Sequence, residues 1–552
     1  MLANFDDIFG GLMKFSFLKT LLLICFLGAF GASCQKKGPS QQSQIQCIHL
    51  NLKNEPATMD PRKGGDVISS HMHFLLFEGL VKLNKDHSIT PAQAKSFEVS
   101  ADGTVYTFTL RDAMWSNGAP VTAHDFEKSW KDILDPNFPS PNTHLLYPIK
   151  NAEAAKQGKV ALSEVGITAT DEKTLVITLE KPVPYFLDLI SFCVFFPVSR
   201  DIDERYPEWA HSAGEHYVSN GPFLLKEWKH NNEIVVVRNP HYWDKNRVRP
   251  DFIHFSMIDN EMTTLQMFEK GELDMVGEPL SPLPTDAIAS LKKKARIHTA
   301  PVAGTTMITF NVDRAPFNNT KVRKAFAYAI DRASIVKNIT QMDEIAATNI
   351  IPPILKNNRN RSFFKDHDES QAKTLLEEAM RESGLSKTIF DNIVYYYSTS
   401  DLNHKIAQAI QQQWQRVLGV QIKIENCDHK ILMDKLIKRD YAFAQSLWVA
   451  QYNDQMNILE RFKSKKNAKN YCQWENPEYI RLLENSFYEN GVKRAAVLEK
   501  AEEIFIDEMP ICPIYHWDMV YVVQPYLTNV QMSPIGDLIF ENLSVEQRKS
   551  SQ

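Results

Sequence analysis

Residues 447–454, "LWVAQYND", bring Trp448, Gln451, Tyr452, Asn453 and Asp454 into one short run. An aromatic face, two amides, a phenol and a carboxylate at this spacing suit holding a polar ligand better than breaking a bond. The preceding "YAFAQSL" (441–447) reads as a strand that delivers them. Polar groups at the carboxyl end of a strand in an α/β sheet are a favoured place for a ligand. Motifs with a catalytic mechanism are missing from the chain: there is no G-x-S-x-G elbow, H-E-x-x-H, phosphate loop or G-x-G-x-x-G. His71 and His73 flank Met72 as an H-x-H that would suit a metal on a strand. No third ligand stands nearby, so a structural role is expected. Carboxylates such as Asp440 and Asp454 lie near apolar stretches but form no pair that spacing alone identifies.

The elements that must position these groups are legible from periodicity. "VYTFTL" (105–110), "TLVITL" (174–179), "EIVVVRN" (233–239) and "DFIHFSMI" (251–258) are short β-branched or aromatic runs, predicted as strands. "IVYYYS" (393–398) is a further strand. After it Leu402, Ile406, Ile410, Trp414 and Val417 recur at helical spacing. Gly419 is placed to end that helix in a left-handed cap, and "VQIKIEN" (420–426) restarts as a strand. Strand, helix, strand at this spacing predicts a parallel βαβ crossover. Residues 318–336 and 368–384 are predicted as two more helices, the second closed by Gly384. The architecture expected is α/β. Aromatic rings in "PVPYF" (182–186), "NPHYW" (239–243) and "IYHWDM" (514–519) are assigned mostly to the core.

Upstream, Lys14 and Lys19 lead into the apolar run Leu21 to Phe30, and Gly31-Ala32-Ser33 precede Cys34. This reads as a secretory signal over residues 1–33, too short to span a bilayer comfortably, with Met13 a better start than Met1. Small residues before cysteine resemble the lipobox of bacterial lipoproteins, although Gly31 stands where that pattern prefers Leu. Cys34 is thus expected to carry a lipid, with residues 34–44 as a flexible tether; plain secretory cleavage is the alternative. Either way the mature protein is expected outside the cytoplasmic membrane, in the periplasm or cell envelope.

The whole chain is 43% hydrophobic and 23% charged, an ordinary globular balance. A net charge of −5 argues against a nucleic-acid partner. Beyond Cys25 and Cys34 the cysteines are 47, 193, 427, 472 and 512, never in a C-x-x-C pair, so neither a disulfide framework nor a zinc site is indicated.

Segments along nearly the whole mature chain, "EPATMDP" (55–61), "LFEGLV" (76–81), "YTFTLRDAMWSNGAPVTAHDFEKSW" (106–130), "NGPFLLKEW" (220–228), "NPHYW" (239–243), "VRKAFAYAIDR" (322–332) and "EMPICPIYHW" (508–517), together resemble the family 5 extracellular solute-binding proteins. These are the oligopeptide and dipeptide receptors of ABC importers. Within the most specific stretch, Asn117-Gly118 makes a turn and Thr122 starts a helix, a scaffolding role. The resemblance implies an α/β, three-domain periplasmic-binding-protein-like fold of the large, type II peptide-binding class, with a ligand cleft between two lobes. The domains expected are a discontinuous domain I (45–81, 196–303 and 520–545), an inserted domain II (82–195) and domain III (304–519). A monomer is expected that uses no cofactor, is not an enzyme, binds peptide or peptide-like ligands, and works with ABC permease and ATPase subunits.

The resemblance also implies a ligand-binding set: Trp448, Ala450, Gln451, Tyr452, Asn453, Asp454, Gln445 and His429, with Ser69 and His71 from domain I. In the best-known peptide binders an aspartate stands at the position of Gln451 and pairs with the peptide's α-ammonium. An arginine stands at Gln445, and a second tryptophan is replaced here by His429. A neutral amide in place of a charge-assisted contact weakens amine anchoring by about tenfold. Asp454 would recover the contact if the loop were rearranged. Two readings follow: peptides bind mainly through backbone and aromatic contacts, or the pocket takes a ligand such as a cell-wall peptide or a metal chelate. The rival class is a surface adhesin or chaperone-like lipoprotein.

Overall fold

Val105–Leu110 alternates as a half-buried strand must, turning Tyr106, Phe108 and Leu110 into the core. It is central in an antiparallel sheet with Ala94–Val99 on one side and Thr174–Thr178, then Ile167–Ala169, on the other. The computed structural model describes residues 45–294, 296–355 and 361–546. The signal, Cys34 and the tether expected over residues 1–44 lie outside the described residues. A second sheet sets Cys47–Leu52 parallel to Phe252–Met257, followed by Glu233–Arg238 and Phe223–Lys229.

The largest sheet has seven strands and carries the Trp448 segment. Its long axis is the antiparallel pair Ile297–Phe310 and Ile511–Val523. Their register breaks between Pro301 and Thr305. Proline cannot donate to a ladder, and Gly304 sits where a Cβ would lie 2.9 Å from the Trp517 ring, so the chain passes this point only without a side chain. Phe443–Val449 pairs antiparallel with Gly304–Phe310 on one edge. On its other edge it meets Val394–Ser398, but that pairing covers only Phe443 and Ala444.

The predicted crossover is present: Val394–Ser398, helix Asp401–Leu418, then Lys423–Cys427 parallel to the first strand. Ser400 caps the helix by accepting the Asn403 N–H at 3.1 Å, and Gly419 ends it at φ 64°. Trp414 is the anchor: it is fully buried against Phe326 and Phe443 and donates Nε1–H to the Phe326 carbonyl at 2.9 Å. The second strand begins at Lys423, after Val420 and Ile422 have turned into the core.

Two expectations are corrected. Residues 318–336 do not form one helix but Thr320–Tyr328 and Arg332–Ile335. Asp331 caps the second by accepting the Ser334 N–H, and buried Arg332 takes the Ala327 and Pro513 carbonyls and the Asp366 carboxylate. Those partners hold the chain in a break. The H-x-H segment is likewise not a strand but lies in helix Val67–Leu76, capped by Asp66. Two residues apart on a helix, His71 and His73 diverge by roughly 200°. His71 Nδ1 donates to the Val67 carbonyl, and His73 Nε2 faces the Thr58 carbonyl. At the signature turn, Gly118 has φ 84°, and the Asp125 carboxylate accepts the Thr122 N–H and hydroxyl at the start of helix Ala123–Leu134. Among the described residues Cys193, Cys427, Cys472 and Cys512 are free thiols, and no helix is long and apolar enough to cross a membrane.

Candidate functional site

Where Phe443–Val449 outruns its pairing with Val394–Ser398, it forms the wall of a cavity of about 530 Å³. Gln445 through Gln451 line it consecutively, faced by Asp66, His71, Asn142, Trp517 and Asp537 from other parts of the chain. A neighbouring cavity of about 360 Å³ opens toward His144 and Tyr185. Trp448, Gln451, Arg461 and Lys469 line both.

Trp448 is half-buried and fixed at its edge, Nε1–H donating to Asn457 Oδ1 at 2.7 Å. The Arg461 guanidinium carbon lies 4.4 Å from its ring centroid and Lys469 Nζ 5.3 Å. Ala450 is held by its N–H to the Ala303 carbonyl. Gln445 lines the cavity with its amide already engaged, accepting the Ser398 N–H and donating to Asn403 Oδ1. His429 starts helix His429–Lys438 and stands exposed on the rim.

Gln451 is fixed in orientation by a chain of amides. Asn142 Nδ2 donates to the Gly64 carbonyl at 2.9 Å, so Asn142 Oδ1 must accept, and it takes Gln451 Nε2–H at 2.8 Å. That leaves Gln451 Oε1 buried with no hydrogen-bond partner. A buried acceptor without a donor costs about 1–3 kcal/mol, which a ligand N–H would relieve.

Three expected ligand residues, Asn453, Asp454 and Ser69, line neither cavity, and Tyr452 lines only the smaller one. Tyr452 is fully buried, stacked on Tyr185 with ring centroids 5.0 Å apart and its hydroxyl donating to Glu460. Asn453 is buried beside His87. Asp454 lines neither cavity: both its oxygens accept from Arg494, at 2.6 and 2.7 Å, in a buried pair. Ser69 is buried behind the cavity wall, its hydroxyl donating to the lining residue Asp66, and its neighbour Ser70 lines the wall instead. His71 does reach the cavity, where its Nε2 is buried without a hydrogen-bond partner.

Sequence reasoning missed Asn142, Arg461, Lys469, Trp517 and Asp537. Burial raises the Asp537 carboxyl, with the His71 imidazole opposing, and burial likewise raises Glu278 on the same wall. The cavity lining thus combines the carboxyl groups of Asp66, Glu278 and Asp537 with the cations Arg461 and Lys469.

The pattern of the bacterial extracellular solute-binding proteins, family 5 Middle, matches residues 88–470. The chain belongs to this family. The solute-binding protein is 41% identical over 527 residues to the oligopeptide-binding protein OppA of Bacillus subtilis, covering 95% of this chain and 96% of that protein. Its structure is similar to the murein tripeptide binding protein MppA of Escherichia coli, with a TM-score of 0.81, 30% identity and 92% and 99% of the two chains covered. It is also similar to Haemophilus influenzae OppA in complex with RPPGFSPFR, with a TM-score of 0.79, 29% identity and 91% and 99% coverage. The solute-binding protein therefore has the expected periplasmic-binding-protein-like α/β fold.

Proposed function

We propose that the protein captures oligopeptides outside the cytoplasmic membrane and delivers them to the permease and ATPase of an ABC importer. The observation that carries this reading is the open strand edge. From Gln445 to Val449 the strand is laddered on one side only, and this stretch lines a half-open cavity of about 530 Å³. An extended peptide meets such an edge as an added strand, its main chain supplying affinity that is indifferent to sequence. Trp448, Ala450, Gln451, Gln445, His429 and His71 form the wall in this reading, with Gln451 Oε1 accepting a ligand N–H. Closure of the two lobes over the peptide gives the permease a shape distinct from the empty receptor. Bound peptide is released unchanged, and Cys34 anchors the receptor by a lipid.

Native mass spectrometry of protein purified without denaturation from a peptide-rich lysate tests this. A ladder of bound peptide masses is expected. Protein that carries no peptide and takes up none added would overturn the reading. A Cys34→Ala chain that still fractionates with membranes would remove the anchor.

A further inference from the structure

Arg461 and Lys469 stand side by side on the wall shared by the two cavities, and neither has an anionic partner among the described residues. Arg461 is 4% exposed, its guanidinium carbon 4.4 Å from the Trp448 ring centroid and 4.8 Å from that of Tyr471. Its Nε–H donates to the Lys469 carbonyl at 2.6 Å, which ties the two residues together. Burial, then the Arg461 charge, lowers Lys469 to about 8, and no carboxylate biases it the other way. Across the smaller cavity, burial and the Lys469 charge hold His144 neutral, with a pKa of about 3. Glu460 on that wall is already engaged by the Tyr452 and Tyr185 hydroxyls.

Two adjacent cations in a desolvated wall are costly, and aromatic faces offset only part of that cost. Buried positive charge without a carboxylate is a receptor for one. Gln451 meanwhile presents a neutral acceptor in place of an amine-pairing charge.

Resting on the peptide-receptor reading, we propose that Arg461 and Lys469 are specificity residues that seat a carboxylate of the ligand beside Trp448. The carboxylate comes from an acidic side chain or from the peptide's C-terminus. In either case the receptor selects for negative charge at this wall.

Calorimetry on the full-length protein distinguishes the sources. The probes are tetra-alanine as free acid and as C-terminal amide, and tetra-alanine amides with Glu or Gln at each position in turn. In at least one pair the carboxylate should bind about tenfold tighter than its neutral partner. A free-acid preference assigns the C-terminus, and a Glu preference assigns a side chain. K469M should collapse that ratio to within about twofold, and K469R should restore it. Wild-type protein that binds both members of every pair equally, or a ratio unchanged in K469M, overturns this inference while leaving the peptide reading intact. Failure to bind any probe or lysate peptide overturns both.

Discussion

Gln451 and Asn142, 309 positions apart in the chain, are joined by a single 2.8 Å hydrogen bond on the lining of the larger cavity. Asn142 in turn is held by the Gly64 carbonyl, so one amide relay ties three separate segments together. Asn142→Ala removes both bonds and should weaken ligand binding by about 1–2 kcal/mol, as closure loses its tie. Calorimetry paired with small-angle scattering checks this; unchanged affinity and unchanged radius of gyration in the ligand-bound form would show that the relay does not stabilise closure.

Gln451→Asp exchanges a donor for a charge. Affinity for peptides with free N-termini should rise relative to their N-acetylated forms. Acetylated peptides should bind more weakly than to wild type, because a carboxylate there faces Asn142 Oδ1. Equal effects on both ligands would mean that residue 451 does not face the amine.

Trp448→Ala should weaken peptide binding by about 1–3 kcal/mol through lost stacking and packing. A dissociation constant indistinguishable from wild type would take Trp448 out of the site.

The Asp454–Arg494 pair is a structural element, with side chains 5% and 8% exposed. Asp454→Asn leaves the guanidinium without its counter-charge and should cost about 3–5 kcal/mol of folding stability by urea unfolding. The increase in Tm on saturation with peptide should match that of wild type. Loss of that increase would return Asp454 to the binding site.

Burial pushes the Glu502 carboxyl up to about 8, although it accepts the Ile350 and Ile351 N–H groups. A folded value above the unfolded one means that its contribution to stability is full below about 4.3 and is lost as pH rises through 8. Glu502→Gln keeps an acceptor oxygen and removes the titration, so urea midpoints should fall less between pH 5 and pH 9 than in wild type. Parallel pH profiles would refute this.

Elements whose determinants are local were legible in the sequence. Helix Asp401–Leu418 follows from its apolar stripe and Gly419. Features set by distant partners were not. The break before Arg332 depends on Pro513 and Asp366, which no local pattern announces. That Ser70 and not Ser69 lines the cavity follows from the 100° that separates neighbours on a helix, which only packing resolves. Tyr452 and Asp454 share the polar texture of a binding loop, yet Tyr185 and Arg494 draw them inward. Arg461 and Lys469 were hidden in "ERFKSKKNAKN", a charge run that reads as a solvated face.

Just ahead of strand Cys47–Leu52, Gln46 Oε1 accepts the Val545 N–H, a contact between positions 499 apart. Strand Cys47–Leu52 takes its ladder from Phe252–Met257, long before the chain reaches Val545. Contacts of such range close very large loops and form late compared with locally paired elements such as helix Asp401–Leu418. A chain interrupted shortly before Val545 would keep the Cys47–Leu52 ladder and lack this seam.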